Sequence, residues 1–565
     1  MYLFHIFHSF LPLRNPIGFG ISDFIVLTIG VLLVSFLALR PLLEPYLRGS
    51  AKHTFRCMAM LFALPILLRI GLLVHSPVPI PAGADDFSYI LLGDTLGHLR
   101  MANPPHPLYK FFESTFVLQE PTYASIYPLG QGLVLAFGRL VFQSFWAGVL
   151  ISSGAFCALC YWMLKAWVTP MWALAGGLLA VIEFGSLNPW VNSYWGGLVS
   201  ACAGCLVFGS LPRLRNSPRI RYGVLLGLGF GLQVLTRPFE AVFMAVVIAI
   251  YWAFAFRNKL MLTMRPAMAA IIVGAAALGL MLLQDKAVTH SWTTLPYMQS
   301  RYEYGVPTTL TFQKTPVPHR QLTSQQELDY RAQAAIHGSG TDNLGAFWSR
   351  LSYRFRYLRF WLLAPLYLVT LLSVPALRQR LYLWAAGTIL LFGVGTNFYP
   401  YFFPQYMAAV TCLFVLFSLL GLQRLGSTSR LYVLLMCGAS FVFWYGIYAS
   451  GSPDLLPIND YQSWNYINIG DTQGRLSVQE QLTHSPGDQL VFVRYAPAHK
   501  FEEWVHNAAN IDAAQTVWAN DLGTDENEQL LRYYPNRKAW LLEPDAHPVS
   551  LTPYSRDSDL FQTVH

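Results

Sequence analysis

Long apolar runs broken by short polar turns dominate this chain, and the pattern stops near residue 450. Runs of spanning or near-spanning length fall at 22–39, 57–74, 146–165, 171–187, 197–211, 223–236, 238–256, 267–284, 358–376, 382–397, 406–422 and 432–449. A helix needs roughly 20 apolar residues to cross a bilayer, so these runs predict membrane spans, several of them short. Basic residues gather in the turns: Arg40, Arg48, Lys52 and Arg56; Arg213, Arg215, Arg219 and Arg221; Arg257, Lys259 and Arg265; Arg378 and Arg380; Arg424 and Arg430. Basic loops stay on the cytoplasmic side, and all of these clusters fall there together if the run 128–142 does not cross. That run is therefore expected to lie in the outer interface, which leaves about twelve spans with both termini outside.

Polar segments then share the outer side: the loop 75–145, the turn 188–197, the loop 285–355 and everything after residue 450. Beyond a linker at 451–486 the periodicity becomes that of a soluble domain over 487–565. Strands are expected at 489–495, 515–519 and 539–542, with helices at 502–509 and 526–534 between them. The expected fold is thus mainly α: a polytopic membrane domain over 1–450 with a small α/β, Rossmann-like domain at its C-terminal end. The first of these strands is followed by RYAPAHK, without the glycine fingerprint of a dinucleotide site. The domain is read as one that docks or faces an acceptor.

Composition agrees with the pattern, with 54% hydrophobic and only 12% charged residues. The net charge of +8 sits in the inter-helical clusters, where it orients helices, and this argues against a nucleic-acid partner. The first apolar run is followed by Arg40 and Pro41, not by small residues, and is expected to be a retained helix. Cys157/Cys160 and Cys202/Cys205 have a spacing that suggests zinc or redox chemistry in soluble proteins. Here they lie in apolar runs, and the same spacing places each pair on one helix face for packing. Gly223, Gly227, Gly229 and Gly231 are likewise expected to let helices approach closely. No glycine-rich loop follows a strand, so nothing supports nucleotide use.

Candidate chemistry lies on the outer side. The loop 75–145 opens with Asp85 and Asp86 and goes on to Asp94, His98, Arg100, His106, Lys110, Glu113, Tyr123 and Tyr127. Paired carboxylates at a membrane surface can neutralise a cation, bind a metal, cap the following helix or act as a general base. The turn 188–197 carries Asn192, Tyr194 and Trp195, suited either to stacking on sugar rings or to an interfacial aromatic belt. Arg237 and Glu240 stand three apart at a helix start. They can pair with each other, or Arg237 can hold a phosphate through its planar fork. Arg301 and Arg320 add phosphate-binding candidates in the loop 285–355, beside Tyr297, Tyr302, Tyr304, Lys314 and His319. Arg354, Arg356 and Arg359 follow.

An aspartate pair opening the first large outer loop, and the element Tyr127-Pro128-Leu129-Gly130-Gln131-Gly132 that leads into an interfacial helix, together resemble the C-type-fold membrane glycosyltransferases. The nearest groups are the protein O-mannosyltransferases and the lipid A aminoarabinose transferases, and the resemblance covers about the first half of the chain. It implies a sugar donor carried on polyprenyl phosphate and a glycan, lipid or protein acceptor. It implies Asp85 as catalytic base with Asp86 as its neighbour. The chain departs from that group in the turn 188–197, where many relatives carry a second acidic residue and this chain has Asn192. Glu183, at the end of the preceding run, is the substitute the sequence offers.

The expectation is therefore a glycosyltransferase of a bacterial-type inner membrane with its active site on the periplasmic side. Asp85 would act by inverting displacement, with Arg237, Arg301 or Arg320 on the donor phosphate. His106, Tyr123, Tyr127, Asn192, Tyr194, Trp195 and Glu240 would contact substrate. No cofactor is implied; a divalent ion beside the carboxylates is compatible with the residues, but no metal-ligand spacing supports it. A flippase for lipid-linked glycans or a noncatalytic envelope scaffold are the rivals. The first requires ionisable groups through the middle of the membrane and an internal repeat. The second tolerates neutralisation of Asp85, Asp86 and Arg237.

Overall fold

The computed structural model describes residues 25, 27–32, 53–81, 83–257, 260–338, 340, 342–451, 474–497, 499 and 502–554. Most of the run 22–39, the basic residues Arg40, Arg48, Lys52 and Lys259, and most of the linker 451–486 lie outside them. The described chain is mainly helical and groups into two compact units. One holds the chain to Pro79, Trp146–Met281 and Asp342–Ile469; the other holds Ile80–Phe145, Leu282–Thr341 and the chain from Gly470.

The first unit is built from apolar helices. Among the described residues of the whole chain, seven helices are long and apolar enough to cross a membrane: Thr54–Gly71, Phe145–Leu164, Gly197–Asn216, Pro238–Ala255, Met261–Thr289, Pro404–Leu422 and Ser427–Ser450. Shorter apolar helices, Pro170–Phe184, Ile220–Thr236, Leu366–Arg378 and Arg380–Thr396, stand where further spans are expected from the sequence. At 1.5 Å per residue, the 15 residues of Pro170–Phe184 extend about 22 Å, short of the roughly 30 Å of hydrocarbon. The expected span 358–376 is not one continuous helix. It breaks into a 3₁₀ turn Phe355–Phe360, an α-helix Leu366–Leu371 and a second 3₁₀ turn Val374–Arg378. Pro365 and Pro375, which lack an N–H, sit at the starts of the last two pieces.

Close helix contacts in this unit depend on missing side chains. A Cβ on Gly204 would lie 1.7 Å from the Ala409 carbonyl oxygen, and one on Gly223 would lie 2.1 Å from that of Pro266. Only glycine permits backbones to meet at those points. All seven cysteines are buried and none of them is in a disulfide.

The second unit assembles three stretches that are far apart in sequence. From the first come the helix Ala84–Gly97, a short antiparallel pair β1 (Val117–Leu118) and β2 (Ala124–Ser125), and the helix Leu129–Phe142. That last helix buries Leu135 and Ala136 and exposes Leu133, Phe137, Leu140 and Val141 as an apolar stripe, a form suited to lying in an interface. The second stretch adds the helices Pro296–Tyr304 and Ser324–His337. The third adds a four-stranded sheet of β3 (Gln489–Val493), β4 (Thr516–Asn520), β5 (Lys538–Glu543) and β6 (Ser550–Pro553), in the order β4-β3-β5-β6. β3 runs parallel to β4 and β5, and β6 runs antiparallel to β5.

β3 explains how the sheet is seated. Its residues alternate between faces, and both faces are buried. Leu490 and Phe492 join one core with Leu91, Phe111, Phe112, Val117 and Tyr123 of the first stretch. Val491 and Val493 join another with Val478, Leu482, Trp504 and Val505. The sheet expected as a separate domain over 487–565 thus shares its hydrophobic core with the loop 75–145.

Two local expectations are corrected. The residues 502–509 are not helical, because their side chains point into several partners at once. Glu503 accepts from Thr115 N–H and Tyr495 O–H, and His506 stacks between Phe87 and Trp518. A helix does form at Arg475–His484, inside the expected linker, and holds the sheet through Val478 and Leu482. Only one crossover, Thr524–Tyr533 between β4 and β5, is helical among the described residues.

Candidate active site

The helix Ala84–Gly97 begins at Gly83, whose extended backbone takes the N-cap position without a side-chain cap. Asp85 and Asp86 therefore do not cap. They sit in the first turn, where unpaired backbone N–H groups and the helix dipole favour negative charge. Asp86 is buried and Asp85 half-buried. The Tyr127 hydroxyl donates to Asp85 Oδ1. Tyr127 is itself fixed: its ring stacks on Tyr89 at 4.1 Å, its N–H donates to Ser125 Oγ and its carbonyl accepts from Gln284 Nε2 at 2.8 Å. Ser88 bonds both Ser125 Oγ and the Phe116 carbonyl, locking the same helix to β2. The two parts of the sequence element, the aspartate pair and Tyr127, thus meet in space.

The long loop adds a carboxyl that sequence reasoning missed. Ser324–His337 starts with a full capping box, Thr323 and Gln326 each bonding the other's backbone N–H. Its buried residues are Gln325, Gln326, Asp329, Gln333 and His337, a polar stripe where a packing helix has an apolar one. Gln326 Nε2 donates to Glu113 Oε2 at 3.1 Å. Gln333 Nε2 donates to Asp329, and Gln333 Oε1 accepts from Thr308 N–H at 3.1 Å. Burial pushes the Asp329 carboxyl up to about 7, with the Gln333 amide pulling it back and the negative charges of Asp85 and Glu503 adding to the rise. The signal in the sequence was polar residues at helical spacing, Gln326, Asp329, Gln333 and His337, in a segment read only as loop.

The remaining expected residues of this unit are engaged by the protein. His106 accepts the Leu108 N–H at Nδ1, which leaves Nε2 to donate to Asp512 Oδ1 at 3.3 Å. Burial holds its pKa below the ordinary value, against the pull of Asp512. Tyr123 donates to the Asn507 carbonyl at 3.0 Å. Arg320 meets Glu113 at 2.7 Å, Glu120 at 3.3 Å and Glu303 at 3.4 Å, and lies over the Tyr109 and Tyr304 rings. Arg301 donates to the Pro307 and Thr308 carbonyls and stays partly exposed.

In the first unit, Asn192 is buried and fully used. It accepts from Arg69 Nε at 2.8 Å and donates to the Ser186 and Asn188 carbonyls. Arg69, fully buried, also donates to the Ser76 and Pro77 carbonyls and lies over the Trp146 ring. Tyr194 is buried and donates to the Pro79 carbonyl, and the Trp195 ring meets Phe403 edge-on. Glu183, offered as a substitute carboxylate, is buried 3.6 Å from Arg359. Arg237 joins two helices and places its guanidinium over the Tyr406 ring at 5.2 Å; Glu240 is buried in the following first turn. Among the described residues no three His, Cys, Asp or Glu side chains are grouped to hold a metal ion.

No family model matches the chain, and no curated protein matches it by sequence. Its structure is similar to that of ArnT from Cupriavidus metallidurans in the apo state, at 12% identity over 86% of this chain and 92% of that one, with a TM-score of 0.47. It is similar to the same protein bound to undecaprenyl phosphate, at 11% identity with the same coverage and TM-score. It is also similar to the apo oligosaccharyltransferase of Archaeoglobus fulgidus, at 11% identity over 86% of this chain and 69% of that one, with a TM-score of 0.44. The likeness is one of chain course.

Proposed function

We propose that this chain is an integral membrane glycosyltransferase that moves a sugar from a polyprenyl-phosphate carrier to a periplasmic glycan, lipid or protein acceptor, with Asp85 as the base. The observation that carries the proposal is the bond between Tyr127 and Asp85. It joins the two parts of the element on which the sequence resemblance rests, and it holds one oxygen of a half-buried carboxylate at a helix N-terminus. Such a carboxylate is aimed and charged, which is what a base for an acceptor hydroxyl requires.

In the proposed reaction the acceptor oxygen attacks the anomeric carbon as Asp85 takes its proton. The bond from that carbon to the phosphate oxygen breaks, and the electron pair leaves with polyprenyl phosphate. Configuration inverts in this single displacement. Arg301, partly exposed and in the same unit as Asp85, is proposed to meet the developing phosphate charge. Arg237 is retained as a phosphate candidate within its own unit. His106, Tyr123, Asn192, Tyr194 and Arg320 are assigned to the frame, since their polar atoms already hold protein groups. The proposed orientation places both the aspartate pair and the C-terminal sheet on the periplasmic side of a bacterial-type inner membrane.

The test compares the lipids and envelope glycans of cells that carry the wild-type chain with those of cells that carry Asp85→Asn at equal membrane levels. A sugar present in the first and missing in the second identifies activity and product together. Identical profiles from the two would remove Asp85 as the base.

A further inference from the structure

Phe87, Leu91 and Asp94 share one face of the helix Ala84–Gly97, at the spacing i, i+4 and i+7, and the C-terminal stretch holds all three. The Phe87 ring stacks on His506, with centroids 4.0 Å apart and planes 21° apart. Leu91 shares a core with Leu490, Phe492, Ala509 and Ile511. Asp94 Oδ2 accepts the Ala509 N–H at 2.8 Å. Ser88 and Tyr89, turned away from that face, are held by Ser125, the Phe116 carbonyl and Tyr127. The Phe87 contact stands nearest the carboxylates. Phe87 N–H donates to the Gly83 carbonyl at 3.3 Å, and that bond closes the turn on which Asp85 and Asp86 sit. His506 is fixed in its turn: its ring stacks on Trp518 of β4 at 5.2 Å, and Nδ1 donates to the Trp504 carbonyl at 2.8 Å. Arg475 lies over the Phe87 ring at 5.1 Å and over the Trp504 ring at 4.2 Å. His506 itself is half-buried, so the stack is not the centre of either hydrophobic core.

We infer that His506 is a positioning residue of the Asp85 site: through its stack on Phe87 it fixes the turn that carries Asp85 and Asp86, so that the C-terminal sheet aims the base. This rests on the proposed role of Asp85. A flat ring held between two others restricts the tilt of Phe87, which an aliphatic contact would leave freer. Loss of the ring lets the first turn move while the groups proposed to bind donor phosphate stay in place. Misaligning a base slows the chemical step and leaves ground-state binding unchanged, which separates kcat from KM.

The experiment uses purified full-length protein in detergent: the wild type, His506→Ala, which removes the ring, His506→Phe, which keeps a flat ring in the stack, and Phe87→Leu, which removes the other half. Backbone hydrogen–deuterium exchange, read by mass spectrometry, needs no substrate. The helix 84–97 should exchange about tenfold faster in His506→Ala and in Phe87→Leu than in the wild type, with β3 and β5 unchanged and His506→Phe close to the wild type. Unchanged β3 and β5 show that the sheet is folded; if His506→Ala loses their protection, Phe87→Leu, which alters no residue of the sheet, decides. Release of polyprenyl phosphate from a labelled polyprenyl-phosphate sugar should show kcat lower by about tenfold or more in His506→Ala, KM unchanged, and recovery in His506→Phe. Equal exchange of 84–97 in all four proteins overturns the inference, as does a wild-type kcat in His506→Ala or a loss that His506→Phe does not restore. Absence of transfer in the wild type would instead sink the role of Asp85, and the exchange rates would still report whether His506 holds the turn.

Discussion

Asp85 and Tyr127 carry the account at the scale of residues, and each can be tested by removing a few atoms. Tyr127→Phe keeps the ring stacked on Tyr89 and deletes the hydroxyl that holds Asp85. A hydrogen bond to a charged group is worth about 1.5–3 kcal/mol, so transfer should fall by roughly tenfold or more at unchanged expression. Asn192 is a second test, because its side chain holds Arg69 instead of facing outward. Asn192→Leu leaves a buried guanidinium short of an acceptor and should cost about 2 kcal/mol of stability, read as a lower Tm in detergent. Asn192→Asp keeps the acceptor and should retain the fold. A sugar-contact role would instead show as an effect on transfer with no change in Tm. The sequence showed which residue types stood in the turn 188–197 and in the loop 75–145. It could not show that most of their polar atoms turn inward, because burial of a side chain is decided by stretches that lie far away in the chain.

The helix Ser324–His337 is where element-level reasoning changes the picture most. Its capping box and its polar spacing were both legible, yet a polar helix in an outer loop reads as solvated until its inward face is seen. Asp329 gives it a pH signature whose sign is fixed. Its folded pKa, pushed up to about 7, lies above the ordinary 3.8, so the folded state holds that proton more tightly than the unfolded one. The stabilising effect of that proton is complete below about pH 4 and is lost as pH rises toward 7 and beyond. Asp329→Asn should remove this trend, so its Tm relative to wild type should improve between pH 5 and pH 8. Among the apolar helices, Gly204 offers a harsher test. With the Ala409 carbonyl 1.7 Å from any Cβ, Gly204→Val must push two backbones apart, and membrane levels of the protein should drop sharply. Most membrane helices could be placed from apolar runs alone. The 358–376 run misled, since Pro365 and Pro375 were outweighed by the hydrophobicity around them.

For the whole molecule, the main finding is the membership of the second unit. The strands β3, β4 and β5 were each legible within a residue or two from short apolar runs, but the core they share with Phe111, Phe112 and Tyr123 links stretches about four hundred residues apart and leaves no local trace. Deleting the chain from residue 452 should therefore do more than remove an appendage. It strips one side from the core of the loop 75–145, and limited proteolysis should cut that loop in the truncated protein and spare it in the full chain. The claim on which all the rest depends is that Asp85 is the base for sugar transfer. The most direct measurement is release of polyprenyl phosphate from a labelled polyprenyl-phosphate sugar, in the presence of acceptor, by purified wild-type protein and by Asp85→Asn at equal Tm. A general base contributes about 10²–10⁴ in rate, so the variant should lose at least about a hundredfold. Release at the wild-type rate by a folded Asp85→Asn protein would contradict the account.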